Sequence, residues 1–143
     1  MNLEPIMSPE ELNAFLDREF PQINERGRYY IVQAISPGEA KLRLDPDGSH
    51  IRPGGTISGP TLFSLADLAA YAVILAHIGP VALAVTTNLN INFLRKPDVE
   101  PLVGKARILK LGRRLAVIEV GIEPASGGDV LAHATATYSI PPR

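Results

Sequence analysis

The stretch from Pro53 to Leu94 contains one charged side chain, the carboxylate of Asp67. Around it, the segment GPTLFSLADLAAYAVILAHI is apolar on nearly every helical face, which predicts a helix covered by protein on all sides. An ionised carboxylate in such a helix is costly unless it is paired or its site opens to a ligand or water. Asp67 is therefore a candidate for chemistry. The alternative is a gap in the apolar face, where the carboxylate bonds a neighbouring backbone group.

Composition excludes several classes of function. The formal net charge of −1 argues against nucleic acid or an anionic membrane as a partner. The absence of cysteine rules out disulfides, zinc thiolate sites and cysteine nucleophiles. The three histidines lack metal-ligand spacing, so we expect no metal and no cofactor. His50 lies in a loop and is expected to be solvated, and His77 is expected to interact with the dipole at the end of the apolar helix.

The N-terminal sequence MNLEPIMSPEEL has acidic residues and no basic region before an apolar core, so it is unlike a signal peptide. We therefore expect a soluble cytoplasmic protein. Residues 58–78 form a run about as long as a membrane span. However, Asp67 would then lie at the bilayer midplane, and no basic anchor adjoins the run. We expect no membrane partner.

Hydrophobic periodicity predicts the elements around the apolar helix. Ser8-Pro9-Glu10-Glu11 has the form of a helix start, so a short helix is expected over about 8–20. Alternation and turn residues predict strands over 29–35, 40–44, 83–94, 102–111, 114–122 and 130–140. In the third strand, Thr86 and Asn88 fall on one face and Thr87 and Leu89 on the other. We predict one α+β domain over 1–143, with a core over about 28–140, in which a long helix is wrapped by a curved antiparallel sheet of about five to six strands.

The tripeptide Ser58-Gly59-Pro60 begins the apolar helix. Pro60 suits the first helical position, and the N–H of Gly59 lies where the helix dipole favours negative charge. Taken alone, this tripeptide is better explained as an ordinary helix start. Asp67 follows eight residues later, about 12 Å along one helix, so a single reacting carbonyl cannot contact both groups. If they act together, they must come from two subunits whose central helices lie side by side and antiparallel.

Four segments together carry a family resemblance: SGPTLFSLADLAAYA, TTNLNINFLRKP, LGRRLAVIEVGIEP and AHATATYSI. Their order and spacing resemble the hotdog-fold acyl-CoA thioesterases, in particular the PaaI-like (phenylacetic-acid-degradation) branch of the 4-hydroxybenzoyl-CoA thioesterase superfamily. The resemblance covers about residues 28–140. It implies a hotdog fold, hydrolysis of an acyl- or aryl-CoA thioester, and self-association as a homodimer or homotetramer.

The resemblance also implies roles for individual residues. The N–H of Gly59 would polarise the thioester carbonyl. Asp67 would act as general base or nucleophile, and the sequence does not distinguish these routes. Thr86 matches a family position that helps to hold the attacking water, with Thr87 as its neighbour.

Ser58 and Pro60 replace the His and the second Gly of the family's His-Gly-Gly tripeptide, and Arg52 falls where many members carry Asn or Gln near the thioester carbonyl. Ser58 and Arg52 remain candidates for substrate binding. Further candidates are Phe63 and Tyr71, at the acyl pocket or the dimer seam, and the basic residues Arg95, Lys96 and Arg113, at the CoA phosphates.

Two alternatives stay open. The missing histidine is also consistent with a non-catalytic module that binds acyl thioesters. A hydratase or dehydratase acting on acyl thioesters ranks last, because those enzymes usually need a catalytic histidine and none precedes this helix.

Overall fold

A computed structural model describes residues 3–142 of the chain. Within that range, two α-helices and eight strands follow one another in a mixed order. They are α1 (Pro9–Glu19), β1 (Tyr30–Ser36), β2 (Glu39–Leu44), β3 (Ile51–Arg52), β4 (Thr56–Ile57), α2 (Gly59–Ile78), β5 (Val85–Phe93), β6 (Leu102–Leu111), β7 (Leu115–Pro124) and β8 (Ala132–Ser139). Short 3₁₀ turns lie at Pro21–Asn24 and Gly48–His50.

Six strands form one antiparallel sheet in the order β1-β2-β6-β7-β8-β5. The sheet curves around α2, which packs against all six of these strands. The predicted α+β hotdog architecture is therefore confirmed. The sheet leaves two edges, β1 and β5, and β5 is the edge strand that becomes important for the site.

Helix α2 is the core of the molecule. Ser58 caps its start, where the side-chain oxygen accepts the N–H of Thr61, and Gly79 ends it with a φ of 98°, a conformation that favours glycine. The helix is long and apolar enough to cross a membrane, judged by length and composition alone, yet 72 % of its most apolar window is buried inside the protein. Its apolarity is thus used for packing against the sheet.

Helix α1 begins as predicted. Ser8 and Glu11 form a reciprocal capping box, in which each side chain accepts the other residue's backbone N–H, at 3.1 and 3.0 Å. Leu12, Phe15 and Leu16 form its buried stripe.

His77 joins the end of α2 to the turn between β1 and β2. Its Nε2 accepts the N–H of Gly38 at 2.9 Å, so its Nδ1 carries the proton and donates to the carbonyl of Val73 at 2.7 Å. The ring thus donates to a main-chain carbonyl near the C-terminal end of α2, where the helix dipole favours a donor.

Strand β5 departs from simple alternation at Thr87. Thr86 pairs with Tyr138 and Asn88 with Thr137, so Thr87 is an extra residue in a β-bulge. The bulge turns Thr86 toward α2, away from the outer face that carries Asn88. The prediction that grouped Thr86 with Asn88 was wrong, because one inserted residue reverses the alternation before it.

Candidate active site

The carboxylate of Asp67 accepts hydrogen bonds from two hydroxyl groups on neighbouring strands. The Oγ1 of Thr86, on β5, donates to Asp67 Oδ1 at 2.6 Å, and the hydroxyl of Tyr138, on β8, reaches the same oxygen at 2.6 Å. The Tyr138 hydroxyl also lies 2.9 Å from the main-chain carbonyl of Asp67. The half-buried carboxylate is therefore held by hydrogen bonds, and no cation within residues 3–142 pairs with it.

Tyr138 is 2 % exposed, and its burial raises the pKa of its hydroxyl far above the usual range. The negative charge of Asp67 and the hydrogen bond to it raise the pKa further. Tyr138 is thus a permanent donor at physiological pH. Its ring stacks on Tyr71, with centroids 6.2 Å apart, and the hydroxyl of Tyr71 donates to the carbonyl of Ala82 at 2.9 Å.

Two cavities open at Asp67, and we call them the Asp67 cavities. One has a volume of about 350 Å³ and the other about 330 Å³. Their walls share Phe20 and Leu68. The first also includes Ile23, Tyr30, His50 and Ser64, and the second includes Tyr71, Ala84, Thr86 and Tyr138. Glu25 and Arg26 also line the first cavity, and Glu19 lines the second. The apolar and aromatic walls beside Asp67 suit a small acyl or aryl group next to a proton acceptor.

The N-terminus of α2 opens into a separate space of about 340 Å³, the Gly59 cavity. Arg52, Arg95 and Lys96 line it together with Gly59 and apolar neighbours. The hydroxyl of Ser58 lies 2.7 Å from that of Thr61, so it serves the helix cap. Ser58 accepts the N–H groups of Thr61 and Leu62. Within residues 3–142 no acceptor bonds the N–H of Gly59, which lies at the positive end of the helix.

One narrow strip of α2 is accessible, and it joins these two regions. Pro60, Phe63 and Ser64 are exposed and Asp67 is half-buried, at the spacing of a single helical face. Gly59 begins the strip and Asp67 ends it. Neither Asp67 cavity includes Gly59, and the Gly59 cavity does not include Asp67. Within one chain, then, the two groups face different spaces.

Several other candidate residues lie away from Asp67. Thr87 is exposed, and its hydroxyl donates to the carbonyl of Thr137 at 3.2 Å. Arg113 lines a small space in the turn between β6 and β7. That turn lies beside the Val85 end of β5, because Leu115 and Val85 both pair with Ser139, whereas Arg95 follows the opposite end. The structure therefore separates Arg113 from Arg95 within one chain.

His50 is more buried than expected, with 9 % exposure. Its Nδ1 accepts the N–H of Asp47 at 2.9 Å. Its ring packs edge-on against the ring of Tyr29, with the two ring centroids 4.8 Å apart. The prediction of a solvated loop histidine was wrong, because Asp47 caps a 3₁₀ turn that folds the ring inward. The carbonyl of His50 accepts the N–H of Ser58 at 2.8 Å, which fixes the start of α2.

Sequence reasoning assigned no role to Tyr138. In the last strand, small apolar residues and Tyr138 alternate with polar residues, a pattern that favours a packed face for Tyr138, and this side chain is indeed buried. Its contact with Asp67 spans 71 sequence positions, so no local pattern indicates it. Among residues 3–142, no group of three His, Asp or Glu side chains is arranged to hold a metal ion.

Comparison with known proteins agrees with this fold. The model of the thioesterase superfamily matches residues 54–131. A "putative thioesterase" from Silicibacter sp. TM1040 is 45 % identical, covers 98 % of this chain and 96 % of its own, and superposes with a TM-score of 0.88. A phenylacetic acid degradation-related protein from Ralstonia eutropha JMP134 is 25 % identical, with coverage of 78 % and 84 % and a TM-score of 0.72. A "putative esterase" from Saccharolobus solfataricus is 31 % identical over 83 % of this chain and 77 % of its own.

The fold and the match over more than half of the chain define a hotdog thioesterase. This chain belongs to the thioesterase superfamily and resembles its PaaI-related members. It is a thioester hydrolase.

Proposed function

We propose that the protein hydrolyses acyl-CoA thioesters at a site shared by two copies of the chain. Gly59 of one copy would supply the oxyanion donor, and Asp67 of the other would supply the carboxylate. The observation that carries this proposal is the division of the two groups between separate cavities, although they lie on one accessible strip of α2. Each chain thus has two half-sites, and neither half is sufficient alone.

The exposed edge of the sheet supports pairing of two copies. Apolar side chains near both ends of β5 are more than half exposed: Leu83 and Val85 at one end, Phe93 and Leu94 at the other. An unpaired, apolar edge strand favours pairing with another strand. A twofold axis near the middle of β5 would extend the sheet across two copies and bring the two α2 strips together.

That arrangement would also complete the site. Thr86, which contacts Asp67, lies near the start of β5. Phe93 lies at its end, and its ring is 3.4 Å from the point where a Cβ on Gly59 would lie. Antiparallel pairing of the two β5 strands therefore brings the Thr86 end of one copy to the Phe93 end of the other. Asp67 would then face the partner's Gly59 cavity.

The chemistry suits these groups. The N–H of Gly59 would bind the thioester carbonyl oxygen, and one such donor typically stabilises the transition state by about 3–4 kcal/mol. Asp67 would take a proton from water as that water attacks the carbonyl carbon, and the tetrahedral intermediate would expel the CoA thiolate. Direct attack by Asp67 would instead break the C–S bond, release the CoA thiolate and form a mixed anhydride, which water would then hydrolyse to the free acid and the Asp67 carboxylate.

The cations around the Gly59 cavity suit the phosphates of CoA. Arg52, Arg95 and Lys96 line this cavity. Arg95 also donates to the carbonyl of Val130 at 3.1 Å and lies 3.5 Å from Asp129, so its guanidinium is partly oriented. In the proposed dimer, Arg113 of the second copy would approach the same site from the other end of β5. A tetramer would add a second interface without changing this site.

The sequence left open a non-catalytic module that binds acyl thioesters, because Ser58 replaces the family histidine. The hydroxyl of Ser58 is engaged in the cap of α2. Because the chain is a thioester hydrolase, we propose that its reaction needs no histidine at this position.

The deciding experiment is a thiol-release assay over short-chain, long-chain and aryl CoA esters, run on the wild type and on Asp67→Asn. We expect the wild type to release thiol and the variant to lose about 10²-fold or more of kcat, the usual contribution of a general base. Circular dichroism and sedimentation should show that the variant keeps its fold and its dimer. Full activity in Asp67→Asn would contradict the assignment of Asp67. Tight CoA-ester binding by calorimetry, with no thiol release from any of these esters, would contradict acyl-CoA as the substrate class.

A further inference from the structure

Building on the proposed function, we infer that Tyr138 is a positioning residue for the reaction: its hydroxyl holds one oxygen of Asp67 so that the other acts on the substrate water. Both short contacts of the carboxylate are made by Oδ1, which accepts from Thr86 and from Tyr138 at 2.6 Å each. The other oxygen, Oδ2, receives neither hydroxyl. Oδ2 is therefore the oxygen that accepts the proton.

Two donors on one oxygen also fix the rotation of the carboxylate. A single hydrogen bond would let the group turn about its Cβ–Cγ bond and exchange its oxygens. Thr86 and Tyr138 are directly opposite each other on β5 and β8, so the sheet holds their separation constant. The Tyr138 hydroxyl is in addition 2.9 Å from the main-chain carbonyl of Asp67, which ties it to the helix backbone. Such support keeps a proton acceptor within the narrow geometry that transfer needs.

The hydroxyl of Tyr138 also favours the ionised carboxylate, because a hydrogen bond donated to the charged form stabilises it. Burial keeps the tyrosine protonated. Removing this donor should therefore raise the pH at which the carboxylate becomes active. Other titratable side chains line the Asp67 cavities, namely Glu19, Glu25, Arg26, Tyr29, Tyr30, His50 and Tyr71. The test must leave these groups unchanged or control for them.

The test compares Tyr138→Phe with Tyr71→Phe. The two tyrosine rings stack on each other, and each variant removes one hydroxyl. The difference is that the hydroxyl of Tyr71 donates to the carbonyl of Ala82, not to Asp67. For Tyr138→Phe we expect kcat to fall about tenfold with KM within about twofold of the wild type. We also expect the acid limb of its kcat profile to move to higher pH. For Tyr71→Phe the acid limb should keep its wild-type position.

Two results would overturn the inference: a wild-type kcat profile in Tyr138→Phe, or a loss of activity with the same unshifted acid limb as in Tyr71→Phe. Failure of the proposed function is a separate result, because the wild type itself would then release no thiol from any CoA ester.

A second measurement does not require the Tyr138 variant to fold. In protein labelled with ¹³C at the tyrosine Cζ atoms, Asp67→Asn should displace the Tyr138 resonance and leave that of Tyr29, whose hydroxyl bonds Asp47, in place. An unmoved Tyr138 resonance would overturn the inference.

Discussion

Thr86 and Asp67 lie 19 residues apart in sequence and are joined by a hydrogen bond of 2.6 Å between the hydroxyl of one and Oδ1 of the other. The bond links the edge strand β5 to the central helix α2. It exists because the bulge at Thr87 turns Thr86 inward. The carboxylate of Asp67 is therefore fixed to the same strand that would form the dimer edge, so in the proposed dimer catalysis and association would depend on one element.

Replacing Thr86 tests this bond. Thr86→Ala removes a hydrogen bond to a charged group, which is typically worth about 1.5–3 kcal/mol, so we expect kcat to fall by about 10- to 100-fold. Thr86→Ser keeps the hydroxyl and should retain most of the activity. Steady-state kinetics with the best CoA ester measures both. Equal losses in the two variants would show that the methyl group matters and the hydroxyl does not.

The accessible strip of α2 should be the helix seam of the dimer. Phe63 lies on this strip and is 40 % exposed. In Phe63→Asp, a carboxylate placed near its symmetry mate in the seam should dissociate the dimer and abolish thiol release. Leu109→Asp is the matched control, because Leu109 is 41 % exposed but belongs to β6, outside the strip.

Sedimentation velocity at micromolar concentration distinguishes the two variants. We expect monomers for Phe63→Asp and wild-type dimers for Leu109→Asp. A fully active, dimeric Phe63→Asp would contradict this placement of the seam.

The hydrogen bonds to Asp47 should stabilise the folded state, and this stabilisation should be lost at low pH. Its carboxylate accepts bonds from the hydroxyl and N–H of Ser49 and from the hydroxyl of Tyr29, and these bonds lower its pKa to about 2. Because the pKa is lower in the folded state than the ordinary value of 3.8, the stabilisation is complete above about pH 4 and is lost as the pH falls toward 2.

The urea unfolding midpoints of the wild type and of Asp47→Ala, measured over a range of pH, test this pH-dependent stabilisation. The difference between the two proteins should be largest near neutral pH and should shrink as the pH falls from 4 to 2. A difference that stays constant with pH would show that the charge of Asp47 contributes nothing.

The helix and the sheet were predictable from the sequence because their signals are local and repeated. All-round apolarity identified α2, whose structural bounds, Gly59–Ile78, agree with the predicted run. Alternation located all six strands of the main sheet to within two residues at each end. The short hairpin of β3 and β4 lies outside every predicted strand, because strands of two residues carry no measurable alternation.

The details of the site were less predictable because they depend on contacts distant in sequence. Strict alternation placed Thr86 on the wrong face, and nothing local identifies the bulge at Thr87 that reverses it. Tyr138 could be predicted as buried but not as a partner of Asp67, since the two meet only through the order of the strands. His50 was misjudged because its burial follows from the turn that Asp47 caps.

The central claim is that two copies of the chain supply complementary halves of one site, and a mixed dimer tests it most directly. Asp67→Asn removes the proton acceptor. Gly59→Pro removes the N–H donor at a helix start, where proline is accepted. Each variant alone should be inactive while still dimeric.

In a dimer of one Asp67→Asn chain and one Gly59→Pro chain, purified through two different affinity tags, one site keeps both native groups and the other loses both. A shared site predicts about half of the wild-type thiol release for each mixed dimer. A mixed dimer no more active than its two parents would contradict the account, because it would mean that each active site lies within a single chain.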